Sequence, residues 1–257
     1  MSAQFLGRLL AFLFVLLALT VGASSFAPPQ SDGEVENAYR ELLAANHWRT
    51  RNAARDRLIE LGESALDTVL IGTEDRNEDV RATCHEILRG SFPTNERAVA
   101  AFIRGLSDSN RGYVTYPSAF HLGEHKIEAG RDALRACLAA TADEPRTHYA
   151  AAKSLGELGD KAVLVTLWNG LGSDDAYTRY LSNLGVKALA GRDLSEFDYE
   201  GAWEGAFVSG PALARTQGRP VQKAQKRADR WQAIVRFTQW LKAEKPELIA
   251  ELSEKLW

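Results

Sequence analysis

From Tyr39 onward, apolar residues recur at intervals of three and four, the spacing that gathers them on one helix face. Tyr39, Leu42 and Leu43 mark an opening helix whose other face is charged. Ala53, Ala54, Leu58 and Leu61 mark the next, which ends at Gly62 and is followed by a partner over residues 64–71. The same reading pairs residues 80–88 with 96–106, residues 116–122 with 127–138, and residues 149–158 with 161–171. A further helix over residues 180–189 ends at Gly191. Glycine after the last apolar residue suits the left-handed position that stops a helix, and an acid just beyond suits the N–H groups opening the next.

The pairs repeat about every thirty residues. Leu61-Gly62-Glu63, Leu122-Gly123-Glu124 and Leu158-Gly159-Asp160 are one tripeptide class. Ala65-Leu66, Ala98-Val99, Ala133-Leu134 and Val163-Leu164 align behind them, followed by Val69-Leu70, Phe102-Ile103, Cys137-Leu138 and Leu167-Trp168. Asp75, Asp108 and Asp143 close three units, and Asp174 closes the fourth one place late. A helix pair with a single apolar face is incomplete alone, so stacked neighbours must supply its core. The expected fold is all-α: an α-solenoid of helix pairs over residues 37–192 with a C-terminal helical appendage.

The ends differ. Arg8 precedes the uncharged run Leu9 to Thr20, and Val21-Gly22-Ala23 supplies small residues before a cut after Ala23. Residues 1–23 therefore read as an export signal, with an uncleaved membrane anchor as the alternative. Residues 24–36 are a polar tether. Residues 193–220, with Trp203, Phe207, Pro211 and Pro220, are loop and linker. Residues 221–257 turn helical again, with Ala224, Ala228, Trp231, Ile234, Val235 and Leu241 on one stripe. Pro246 then opens a last helix with Ile249, Leu252 and Leu256 inward.

Composition narrows the partners. A formal charge of −3 gives no footprint for nucleic acid. Export permits a disulfide, but Cys84 and Cys137 both occupy apolar helix positions and read as small buried hydrophobes.

Three segments carry a family resemblance: Ala-Ala-Lys-Ser-Leu-Gly-Glu-Leu-Gly-Asp at 151–160, Asp-Val-Arg at 79–81, and Leu171 to Asp174 before Arg179. They resemble the HEAT-repeat family, in the short variant also found in phycobilisome lyase proteins. The resemblance spans Asn37 to Arg192 and is weakest over 107–123, where Arg111 to Pro117 lacks the Asp-x-Val-Arg start. It implies a right-handed superhelix that binds other macromolecules, and no particular activity. The bilin chemistry of the lyases is at odds with an export signal.

Three constellations are candidates for chemistry. His121-Leu-Gly-Glu-His125 matches H-x-x-E-H, in which two histidines bind zinc and the glutamate (here Glu124) activates water. Glu196, Glu200 or Glu204 would complete such a site. Against it, Gly123 falls on the Leu-Gly turn of the repeat, so the histidines flank a helix break. Arg215, Arg219, Lys223, Lys226, Arg227 and Arg230, near Trp231 and Phe237, form a basic run fitted to an acidic polymer or anionic lipid, or to simple solvation. Trp203, Trp231, Trp240 and Trp257 crowd the last quarter and suit either a core or sugar stacking.

The residues thus favour a non-catalytic protein–protein interaction scaffold with no catalytic, metal or cofactor residues. It is exported, periplasmic or secreted, monomeric, and bound to a protein of the cell envelope. The alternatives are a zinc-dependent hydrolase and a module that binds cell wall or membrane surface.

Overall fold

A computed structural model describes residues 32–199 and 220–256. No strand occurs among the described residues, and the fold is all-α. The chain divides into two compact units, one ending at Thr68 and one beginning at Val69. The division falls within the stretch read from sequence as one continuous solenoid.

The first unit contains α1 (Asp32–Ala44) and α2 (Trp48–Glu60). Val35, Ala38 and Leu42 of α1 and Ala54 and Leu58 of α2 are buried. His47 Nδ1 caps α2 by accepting from the Arg49 N–H at 3.2 Å. Gly62, at φ 56°, turns the chain into a short 3-10 segment, Gly62–Ala65, ahead of α3 (Leu66–Gly72).

The second unit continues with α4 (Glu78–Ser91), α5 (Glu96–Gly105), α6 (Tyr116–Glu124), α7 (Arg131–Ala140), α8 (Pro145–Glu157), α9 (Leu164–Leu171) and α10 (Ala176–Ala190). Side-chain caps fix several starts: Asn77 for α4, Asn95 for α5 and Asp175 for α10. Arg81 and Arg179 each stand four residues past a cap and turn back on the preceding loop. Arg81 Nη1 donates to the carbonyls of Asp75 and Arg76, at 2.9 and 3.2 Å. Arg179 Nη1 donates to those of Ser173 and Asp174, both at 2.9 Å. The segment at 107–123 has no such arginine and opens with a π-helical turn over Arg111–Thr115. Cys84 and Cys137 are buried free thiols. Burial raises Cys84 to about 12 and Cys137 to about 11, so neither is a nucleophile at neutral pH.

The register of the repeat differs from the sequence alignment. Lys126 N–H donates to Gly123 O and Ile127 N–H to Leu122 O; Gly159 N–H donates to Gly156 O and Asp160 N–H to Leu155 O. Leu122-Gly123-Glu124 therefore matches Leu155-Gly156-Glu157, not Leu158-Gly159-Asp160. Gly159 is a turn glycine at φ 77°, and its counterpart is Lys126 at φ 50°. Gly123 lies inside α6, where a Cβ would come within 2.5 Å of Ser154 Cα. It serves close helix packing, and Glu124 ends a helix where the alignment has it begin one.

The C-terminal part forms α11 (Pro220–Glu244) and α12 (Pro246–Leu256). Phe237 stacks on Trp168 of α9 with ring centres 6.1 Å apart, and meets Phe197 edge-on at 5.1 Å. Tyr199 Oη donates to Leu171 O at 2.7 Å. The buried stripe of α11 is Ala233, Ile234, Phe237 and Leu241. Of the expected stripe, Ile234 and Leu241 are buried, whereas Ala228 is exposed and Trp231 and Val235 are 49% and 52% exposed; the Ala224 side chain lies outside the described residues. Both series satisfy three-and-four spacing, and the aromatic partners Trp168 and Phe197 decide between them. On α12, Leu248 and Leu252 are buried and Ile249 is half-buried among the described side chains, and the Leu256 side chain lies outside them.

Candidate functional site

The H-x-x-E-H residues do not converge on an open coordination position. His121 is 1% exposed, and its Nε2 lies 2.7 Å from the carbonyl of Pro93. Glu124 and His125 are exposed, with the His125 ring tilted at 44° to the His121 ring and their centres 4.3 Å apart. Glu196 pairs with Arg192 at 2.7 Å and closes the capping box of the turn Leu194–Phe197. Glu200 and Glu204 lie outside the described residues. Among the described residues no group of three His, Cys, Asp or Glu side chains is placed to hold a metal ion.

The basic run is partly tied down. Arg227 pairs with Asp174, and Arg230 lies 3.9 Å from the same carboxylate. Lys226 is exposed, while Arg215, Arg219 and the Lys223 side chain lie outside the described residues. Trp240 joins the cluster around Phe237, and Arg192 stands 5.2 Å from its ring. Trp231 borders Gly172, where a Cβ would meet its ring at 3.2 Å. Trp203, Trp257 and the apolar run of 9–20 lie outside the described residues. No described helix is long and apolar enough to cross a membrane.

A different surface emerges on α6, α8 and α10. Ser154 Oγ donates to Ala119 O at 2.7 Å, and a Cβ on Gly156 would come within 2.9 Å of Gly185 O. Small residues at these crossings bring the three helices together side by side, N-terminal ends matched with N-terminal ends. Over the central helix, Tyr116 of α6 meets Tyr177 of α10 through their hydroxyls. Tyr116 also lies 6.2 Å from Phe120, and Tyr177 lies 5.9 Å from Tyr180. All four rings are half-exposed.

Beneath the rings lies Lys153, only 2% exposed. Its Nζ sits 3.6 Å from the Phe120 ring centre and 2.7 Å from Glu157 Oε2. A buried ammonium needs a carboxylate and a ring face of this kind to offset lost hydration. Burial raises the Glu157 carboxyl above its ordinary value, and outweighs the opposing pull of Lys153.

The face is electrically polar along the helices. At its N-terminal end Arg146 stands 5.6 Å from the Tyr177 ring. At its C-terminal end are Glu124 and Glu157, the last residues of α6 and α8. Base at a helix start and acid at a helix end both oppose the helix dipole, at a cost of about 0.3 to 1 kcal/mol each near the surface.

Sequence reading missed this face because its tyrosines come from two helices more than fifty residues apart. The available signal was Arg146, Tyr149, Lys153 and Glu157 at three-and-four spacing, which puts charge on a stripe that should be apolar.

The chain matches no known family model, and no curated protein matches it.

Proposed function

We propose that this chain is a non-catalytic protein–protein interaction module, an exported α-solenoid of HEAT-like helix pairs, and that its partner docks on the face formed by α6, α8 and α10. The observation that carries this reading is the tyrosine surface with charges set against the helix dipoles. Half-exposed tyrosines supply contact area at low entropic cost and are the side chains favoured in binding patches. Arg146 and the Glu124 end give the patch direction, because oppositely charged ends fix the register of a docked segment. The partner segment suited to it has an apolar, proline- or aromatic-rich centre, an acidic group toward Arg146 and a basic group toward Glu124. The partner is taken to be a protein of the cell envelope, in keeping with the N-terminal sequence, and the module to act as a monomer without a cofactor.

The test is partner retention by the wild-type chain compared with a chain carrying Tyr177→Ser and Tyr180→Ser. Both side chains are half-buried, so retention is compared between chains with matched melting curves.

A further inference from the structure

A second site lies apart from the tyrosine face and does not depend on it. The end of α3, the middle of α4 and the end of α5 enclose a cleft of about 250 Å³. This is just below the range of pockets that hold drug-sized ligands, so an occupant is small. Its lining carries two guanidinium groups, Arg81 and Arg104, and two carboxylates, Glu74 and Asp108. A simple anion or a simple cation would meet a like charge there; a ligand bearing both signs would not.

The two ion pairs are not equivalent. Arg81 Nε and Nη2 donate to Asp108 at 2.7 and 2.9 Å, both partners are largely buried, and Asp108 Oδ1 also accepts from the Asn110 N–H at 2.7 Å. With Arg81 Nη1 committed to the loop carbonyls, this pair is a fixed wall. Arg104 and Glu74 meet at 3.0 Å with more than half of each side chain in water. Such an exposed pair is weak and opens readily. It holds one positive and one negative group apart at the mouth, attached to different elements.

The floor is His85, 4% exposed, whose Nδ1 has no hydrogen-bond partner. Burial holds its imidazole down to about 4, so it is neutral near pH 7 and offers one donor and one acceptor. Gly105 borders the ring so closely that a Cβ there would come within 2.8 Å of His85 Cε1. Thr73 and Ser107 donate their hydroxyl protons to backbone carbonyls, at 2.7 and 3.0 Å, which leaves their lone pairs free to accept. His85 lines the cleft through its ring edge, while the unpartnered Nδ1 is closed off from solvent.

We propose that this cleft binds a small zwitterion of free α-amino-acid type, its carboxylate on Arg104, its ammonium on Glu74, and its side chain against His85 and Gly105. Binding exchanges the Arg104–Glu74 contact for one contact at each end of the ligand. A peptide terminus carries only one of the two charges together with a bulky chain, so it fits the cleft less well than the free molecule.

The test is isothermal titration calorimetry of the full-length chain with each common free α-amino acid, then with the N-acetyl and C-amide forms of the best binder. The expected result is one site per chain for at least one small amino acid, with affinity reduced about tenfold or more by either cap. Glu74→Gln and Arg104→Gln, both at exposed positions that leave the core intact, each produce a similar loss with an unchanged melting curve. Absence of heat with every amino acid at about 10 mM would overturn the proposal. So would an affinity indifferent to either cap, or one unchanged in either variant.

Discussion

At the residue scale, His85 is where burial and ionisation conflict most. An ordinary imidazole titrates near about 6.5. Burial is the largest influence holding His85 down to about 4; Asp108 pulls upward, while Arg104 and Arg81 push down. Between those values the unfolded chain binds a proton that the folded chain refuses. Stability therefore falls as pH drops from about 6.5 to about 4, and the full cost, up to about 3 kcal/mol, stands below that. His121, also lowered by burial, acts in the same direction. Melting curves across this window should show a flatter pH profile for His85→Gln than for the wild type, and parallel profiles would contradict the account. Lys126 makes a second case. At φ 50° it holds a left-handed turn that Gly62 and Gly159 fill with glycine. An L-residue there costs about 1 to 2 kcal/mol, part of which a glycine gives back in the unfolded state. Lys126→Gly should raise the urea midpoint by an amount worth about 0.5 to 1 kcal/mol, whereas Lys126→Ala should not. Nothing in the tripeptide pattern marks Lys126, because its turn lacks the residue that makes such turns readable.

At the scale of elements, the helices were legible in sequence and their register was not. Apolar spacing places α4, α5, α8 and α9 within a few residues, and Val80, Cys84, Ile87 and Leu88 are buried together as that spacing requires. The alignment slipped because 155–160 contains the Leu-Gly-acid tripeptide twice, once for packing and once for turning. Only the third dimension separates Gly156, hard against Gly185, from Gly159, with nothing within 4 Å. The same ambiguity moved the stripe of α11, where two apolar series run side by side. The two kinds of helical glycine should respond oppositely to alanine. At Gly156 the added methyl forces α8 off the α10 backbone, an overpacking cost of about 1 to 3 kcal/mol that exceeds the gain in helix propensity. Gly90 of α4 is exposed with open space around it, so Gly90→Ala should gain up to about 1 kcal/mol. Chemical denaturation of the two variants decides this, and equal effects would mean that the α8–α10 crossing is looser than described.

At the scale of the molecule, sequence leads toward a binding solenoid, and the structure supplies an all-α fold and a specific surface. The H-x-x-E-H match dissolves into packing once His121 turns to the Pro93 carbonyl. The tyrosine face replaces it as the most distinctive feature, and it exists only because α6 and α10 close over α8. Lys153 shows how strongly the fold invests there: a buried ammonium is tolerated beneath the rings where an apolar side chain would pack at lower cost. The central claim is that this face holds a protein partner. The measurement that tests it most directly is affinity capture from extracts of the cells that make the protein, with quantitative mass spectrometry. It compares the wild-type chain with the Tyr177→Ser, Tyr180→Ser double variant at matched folding. The account predicts one protein retained in near-stoichiometric amount by the wild type and reduced at least about tenfold in the variant, the loss expected when binding-patch tyrosines are removed. Equal retention by both chains, or no protein retained by the wild type, would contradict it.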